Sequence, residues 1–118
     1  MNIFAHGDLS NATDHHVLAE AWTYEITRVC FAAAPNGALN GTLDLTLARD
    51  GESVHLRFLD AHELQIDAGF PHSYMGLEIL DVSYLGWEHS TVRVSGFEDA
   101  PGIGFWAKSV VRVEDSEL

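Results

Sequence analysis

The sequence has 118 residues with 18 acidic and 6 basic side chains, which gives a formal net charge of −12. Its hydrophobic content of 47% is ordinary for a folded protein, so we expect a compact domain and not a disordered chain. A protein this acidic repels nucleic acid and anionic membrane, because both are bound through positive charge on the protein. We therefore expect a basic protein as the partner, with no binding of nucleic acid or membrane.

The remaining composition narrows the class of protein. No segment is long and apolar enough to span a membrane, and the first residues do not combine a basic stretch with an apolar run. The absence of both features predicts a cytoplasmic protein. The length of the chain and the lack of a repeat or linker predict a single β-domain over residues 1–118. The one cysteine, Cys30, cannot form an intramolecular disulfide, and its place in the apolar run 29–32 predicts a buried side chain.

The N-terminal part of the chain gives the weakest structural signal. Thr13 or Asp14 would cap a short helix through 16–21, although two helical turns need packing against the core to persist. Alternating apolar and polar residues then predict a long or bulged strand over 22–33. The two Asn-Gly pairs of 34–41 predict a loop after that strand.

The clearest local signal is a hairpin at Asp50 and Gly51, two residues that favour the positive φ angles of a type I′ turn. A two-residue turn here fixes the register of both strands. On one face it places Asp44 opposite Arg57, which are opposite charges, and on the other face it pairs only apolar residues. The predicted apolar pairs are Leu47 with Val54, Leu45 with Leu56, and Leu43 with Phe58.

Further strands are predicted over 63–67, 76–85, 90–96 and 102–114, each bounded by turn residues. Together with the earlier strands they make about seven, and no long helical period interrupts them. The sequence therefore predicts an all-β fold, either an antiparallel β-sandwich or a strongly curved sheet of about seven strands, with at most one short N-terminal helix.

Two histidines and two carboxylates, His55, Asp60, His62 and Glu63, suggest one alternative function. Imidazole and carboxylate are common ligands of divalent metals, so the chain could be a small metal-binding or metal-dependent β-domain enzyme. Against this alternative, His55 is predicted to lie in mid-strand, whereas 60–63 is predicted to be a connection. A further alternative is a small-molecule-binding β-sandwich with its pocket between the sheets.

No Gly-x-Ser-x-Gly elbow and no glycine-rich loop leading into a helix occurs, so we expect neither a catalytic site nor a cofactor. Two connections instead hold aromatic residues that the inward alternation does not require. Aromatic residues are enriched in protein interfaces, and nearby carboxylates would meet Arg or Lys of a partner; alternatively, the aromatic residues close the ends of the fold. The predicted partner-binding residues are Phe70, Tyr74, Trp87, Glu88, Glu98 and Asp99.

The strand-like segments 54–66, 77–83 and 105–110, with Gly86-Trp87-Glu88 before the last, resemble small acidic bacterial immunity proteins. These proteins are antidotes encoded beside polymorphic or contact-dependent toxins. The likeness covers about residues 54–113 and implies a cytoplasmic, non-enzymatic protein that occludes the active site of one cognate toxin. Nuclease toxins are basic, so an acidic inhibitor can imitate their polyanionic substrate. The family shares no catalytic or binding residues that can be placed on this sequence.

Overall fold

The computed structural model describes residues 12–33, 41–68, 76–96 and 102–113. These residues form an antiparallel sheet of 8 strands that does not close on itself, and they contain no helix of 7 residues or more. The prediction of an all-β fold is confirmed. The strands are β1 Thr13–Asp14, β2 Glu25–Ala32, β3 Gly41–Arg49, β4 Glu52–Ile66, β5 Leu77–Asp81, β6 Val92–Gly96, β7 Ile103–Ala107 and β8 Ser109–Arg112, with short 3-10 helices at Ala21–Thr23 and Ser83–Leu85.

The sheet is organised around β4. Its strand order is β1-β5-β6-β7-β4-β3-β2, and β8 also pairs with β4. The first part of β4 lies between β3 and β8, whereas its last part pairs with β7. One 15-residue strand therefore belongs to two halves of the sheet, which share one hydrophobic core.

Two β-bulges bend β4 where it passes from one half to the other. The register with β3 shifts between Phe58 and Ala61, and the register with β7 shifts between His62 and Gln65. Each bulge adds one residue to β4, which bends the strand and increases its twist. The prediction of a connection at 60–63, followed by a separate strand over 63–67, was wrong because the polar residues there lie inside one continuous strand.

The predicted hairpin is confirmed in every pair. Leu47 lies opposite Val54, and the same register continues through the other apolar pairs to Leu43 and Phe58. Asp44 lies opposite Arg57, as expected. The turn at Asp50 and Gly51 has positive φ at both residues, 52° and 83°.

The inner face of the curved sheet is filled by apolar side chains from both halves. Phe58 of β4 and Phe105 of β7 meet edge to face with ring centroids 4.8 Å apart, and both are fully buried. Edge-to-face packing aligns the positive edge of one ring with the negative face of the other. The buried residues around this pair include Leu43, Leu45, Leu47, Leu56, Leu77, Val92 and Val94.

The chain differs from prediction at both ends of the described structure. Residues 16–20 form turns in place of a helix, and β1 pairs with β5, where His15 N–H also donates to the Ile79 carbonyl. The predicted strand 102–114 divides at Lys108 into β7 and β8. After this break Val110 packs against the core and Val111 is exposed, whereas Val113 is buried.

Cys30 is exposed, contrary to the prediction of burial. It lies on β2, which is the last strand on its side of the sheet, and it is opposite Asp44 on the outer face. An apolar run on an edge strand does not become buried when no further layer covers that strand.

Candidate functional site

The connection between β5 and β6 lies across the outer face of the sheet and carries the candidate site. A backbone hydrogen bond from Val82 N–H to the Thr91 carbonyl holds its two ends together. Thr91 N–H donates to the Ala107 carbonyl, which joins the connection to β7. Gly86 ends the 3-10 helix with φ of 75°, which a residue without a side chain adopts freely. The connection is therefore a fixed platform next to β6 and β7.

Asp81 fixes the start of this connection. One of its carboxylate oxygens accepts bonds from the Ser83 backbone N–H at 2.9 Å and the Ser83 hydroxyl at 2.6 Å. These hydrogen bonds, the hydroxyl bond foremost, lower the pKa of Asp81 below its ordinary value despite partial burial. The carboxylate consequently stays ionised at neutral pH and continues to hold the turn.

Trp87 packs against Trp106 of β7, with ring centroids 5.5 Å apart and planes inclined by 57°. Both indole side chains are only partly buried. Arg93 of β6 lies over the other ring of the pair, with its guanidinium carbon 5.0 Å from the Trp106 centroid, a cation–π geometry. The outer face of the sheet thus has a rigid aromatic surface with accessible area.

Glu88 and His89 follow Trp87 in the chain, and His89 contacts a carboxylate of β4. His89 Nδ1 lies 2.6 Å from Asp60 Oδ2, and its Nε2 lies 3.9 Å from a carboxylate oxygen of the exposed Glu88. Asp60 stands at the first bulge of β4, so the bend in that strand delivers its side chain to this connection. We call Asp60, Trp87, Glu88, His89 and Trp106 together the Trp87 surface.

A second histidine contact lies beside this surface. Ser90 Oγ and His62 Nε2 are 3.0 Å apart, and His62 Nδ1 is 2.8 Å from the Asp60 carbonyl oxygen. When Nδ1 carries the proton and donates to that carbonyl, Nε2 accepts from the serine hydroxyl. Such a pair can activate a hydroxyl, but the nearby carboxylates of Asp60 and Glu88 oppose the negative charge of an acyl-transfer intermediate. The arrangement therefore fits a role in holding the β5–β6 connection in place better than a catalytic role.

A shallow cavity of about 160 Å³ lies on the outer face, next to the Arg93 side chain that packs on Trp106. It opens above Gly104, where the strand has no side chain, and Gln65, Arg93 and Ser95 line it. Its polar lining and small volume contrast with the apolar pockets that hold small molecules. Inside the curve of the sheet, side chains such as Phe58 and Phe105 fill the space that a ligand between sheets would need.

The structure places the residues of the alternative metal site in two different locations. Asp60 and His62 contact the β5–β6 connection, whereas His55 lies on the half of the sheet that contains β3. Glu63 is exposed and occupies the second bulge. Within the described ranges, no three His, Cys, Asp or Glu side chains are grouped so that they could hold a metal ion.

His55 instead belongs to a charged cluster on the outer face with Asp44 and Arg57. Arg57 holds both oxygens of Asp44, at 3.0 and 3.2 Å, in a bidentate pair. His55 Nε2 lies 3.2 Å from Asp44 Oδ2. Burial would raise the pKa of Asp44, yet the two basic neighbours outweigh it and lower that pKa below its ordinary value.

Of the predicted partner-binding residues, Trp87 and Glu88 are on the Trp87 surface. Phe70, Tyr74, Glu98 and Asp99 lie outside the described residues. The sequence alone did not assign Asp60, His89 or Trp106 to a partner-binding surface. Only Trp106 carried a signal for it, because a tryptophan at an outward position of an alternating strand indicates an accessible aromatic side chain.

Comparison of the chain with protein-family models, with curated proteins and with solved structures gave no match. Within the described ranges, no helix has the length and apolar character needed to cross a membrane.

Proposed function

We propose that the protein is a non-enzymatic binding protein that uses the Trp87 surface to bind and neutralise a basic partner protein. We further propose that this partner is a bacterial toxin and that the chain is its immunity protein. The observation that carries the proposal is the partly buried Trp87–Trp106 pair, which is next to Glu88 and to the contact between Asp60 and His89. Rigid aromatic side chains ringed by charges are typical of the centres of protein interfaces.

The charge of the molecule supports a basic partner. A net charge of −12 accelerates encounter with a positively charged surface, and the acidic groups around Trp87 would meet Lys or Arg there. Tyr84, in the same connection, is 44% exposed and adds accessible aromatic area to that connection. Toxin domains that act on nucleic acid carry the complementary positive charge. The resemblance of 54–113 to acidic immunity proteins also supports a basic partner.

The test is binding to the C-terminal domain of the protein encoded immediately upstream of this chain, measured by calorimetry with purified domains. Trp87→Ala should weaken binding by about 30-fold or more, since a central aromatic anchor is worth about 2 kcal/mol. Val111→Ala is the matched control, because Val111 is 45% exposed on a different part of the sheet and should leave affinity unchanged. Circular dichroism of each variant would verify that the fold is retained.

The exposed carboxylates of the Trp87 surface should affect the rate of association. Glu88→Gln should slow association at low salt and change dissociation little, because an exposed rim charge acts mainly through long-range attraction. Stopped-flow measurements at two ionic strengths would separate the two rates. An affinity that is unchanged in Trp87→Ala and also insensitive to ionic strength would refute the proposed function.

A further inference from the structure

β2 is an edge strand of the described sheet. It is the last strand in the order of the sheet, and among the described residues only β3 pairs with it. Its 8 residues, Glu25–Ala32, make it longer than most edge strands. A free edge presents N–H and C=O groups that can pair with another strand.

The usual protections of an edge strand are weak here. β2 contains no Pro and no Lys, and its one irregularity, between Ile26 and Arg28, leaves 28–32 in regular pairing with β3. Cys30 is exposed, and Phe31 is 43% exposed although it is an apolar residue. A regular edge with accessible apolar side chains is a surface that favours strand addition.

The charge of β2 indicates which molecule supplies the strand that pairs with it. β2 carries one acidic residue, Glu25, and one basic residue, Arg28, so the strand is neutral in a protein of charge −12. Two copies of the chain repel each other over most of their surfaces, but they can approach where the charge cancels. A basic partner gains nothing from a neutral strand and is drawn to the carboxylates elsewhere. A second copy of the chain is therefore the occupant that fits β2.

We propose that two copies of the protein associate through antiparallel pairing of their β2 strands about a two-fold axis. Such a contact is self-complementary, because each edge supplies the donors and acceptors that the other needs. It extends the sheet from one copy into the next. The surface is separate from the Trp87 surface, so it leaves the proposed partner site free.

Side-chain facing gives the register. Val29 and Phe31 are opposite Leu45 and Leu43 on the inner face, whereas Cys30 is opposite Asp44 on the outer face. Residues directly opposite in an antiparallel pair share a face. Placing Val29 against Phe31 of the second copy covers the exposed ring with an apolar side chain. In that register, Cys30 lies on the two-fold axis opposite Cys30 of the second copy.

Sedimentation velocity of the full chain under reducing conditions tests the association. At about 0.2 mM protein, the wild type should sediment as a dimer of twice the 13.0 kDa chain mass. Phe31→Lys should sediment as a monomer, because a charged side chain would have to lose its water where the apolar ring faces Val29 of the second copy. Ile66→Lys is the matched control, since Ile66 is 49% exposed on β4 and should leave the dimer intact. A wild type that stays monomeric up to about 1 mM, or a Phe31→Lys protein that still dimerises, would overturn the proposal.

Ionic strength and Cys30 give two further readouts. Raising salt from about 0.02 to 0.2 M should strengthen the dimer, since it screens the repulsion between two acidic chains, whereas it should weaken binding of a basic partner. The failure of one proposal is thus distinguishable from the failure of the other. Mild oxidation should trap a covalent dimer through Cys30, because opposite residues in an antiparallel pair lie within disulfide distance. A dimer that oxidation leaves uncrosslinked would contradict the register and require pairing elsewhere.

Discussion

Asp60 and Glu63 adopt left-handed backbone angles, with φ of 59° and 55°, inside a β-strand. A residue with a side chain is disfavoured in this region by about 1 kcal/mol, because its Cβ approaches the following carbonyl oxygen. At Asp60 the conformation directs a carboxylate to His89. At Glu63 the side chain is exposed, and the second bulge has no comparable contact among the described residues. Among the described residues, a side-chain contact therefore offsets the cost of the left-handed backbone at Asp60 but not at Glu63.

Glu63→Gly should raise the free energy of unfolding by about 0.5–1 kcal/mol, because glycine adopts a positive φ without the steric cost. Glu25→Gly is a matched control, since it also removes one exposed acidic side chain but from an extended position, and it should destabilise by a similar amount. Urea denaturation of both variants measures the difference. A Glu63→Gly protein less stable than wild type would show that the second bulge is held by its side chain.

At the scale of elements, local signals sufficed only where the contacts are also local. Asp50 and Gly51 fixed the hairpin register because the turn and both strands are adjacent in sequence. The course of β4 through its bulges depends on pairing with β7, whose residues are about 40 positions later in the chain. The segment before β2 shows the same dependence, since His15 is anchored to Ile79 and a local helix does not form.

Docking of that N-terminal segment should depend on pH through His15. Its Nδ1 accepts a hydrogen bond from Val17 N–H at 3.0 Å, which only the neutral ring can do. Burial first, and then the charge of His16, lower the pKa of His15, while Asp81 offsets part of the shift. A folded pKa below the unfolded value near 6.5 gives stability that is complete above about pH 6.5 and is lost as pH falls through the folded pKa.

Comparison with His15→Asn isolates this effect, because asparagine can accept the same bond without titrating. Between about pH 7.5 and pH 5, the wild type should lose more unfolding free energy than the variant. Both proteins retain Asp44 and Asp81, whose lowered pKa values give stability that is lost only in more acidic solution, below about pH 4. Parallel pH profiles for the two proteins in urea denaturation would exclude the role of His15.

At the scale of the whole molecule, the net charge of −12 has a cost for folding. Like charges brought into a compact state repel, and only some are offset locally, as Asp44 is by Arg57. The acidic groups of the Trp87 surface are among those kept at the exterior. Repulsion among these acidic groups should therefore lower the stability of the folded protein.

Thermal stability should accordingly rise with salt. Between about 0.01 and 0.15 M NaCl the screening length falls from about 30 to 8 Å, which weakens repulsion among distant charges more than the close Asp44–Arg57 pair. Melting curves followed by circular dichroism at low protein concentration, about 5 µM, would measure the change in Tm while limiting self-association. A Tm that falls with added salt would mean that favourable ion pairs outweigh the net repulsion.

Sequence alone determined the all-β class, the hairpin from Leu43 to Phe58 and the pairing of Asp44 with Arg57, because alternation and turn chemistry act over a few residues. It also singled out Trp87 and Glu88. Only the tertiary structure decided that β4 joins two halves of the sheet, that Asp60 and His89 meet beside Trp87, and that Cys30 is exposed on an edge. These features arise from pairing between distant segments, whose register depends on which strands become neighbours and cannot be read from any one segment.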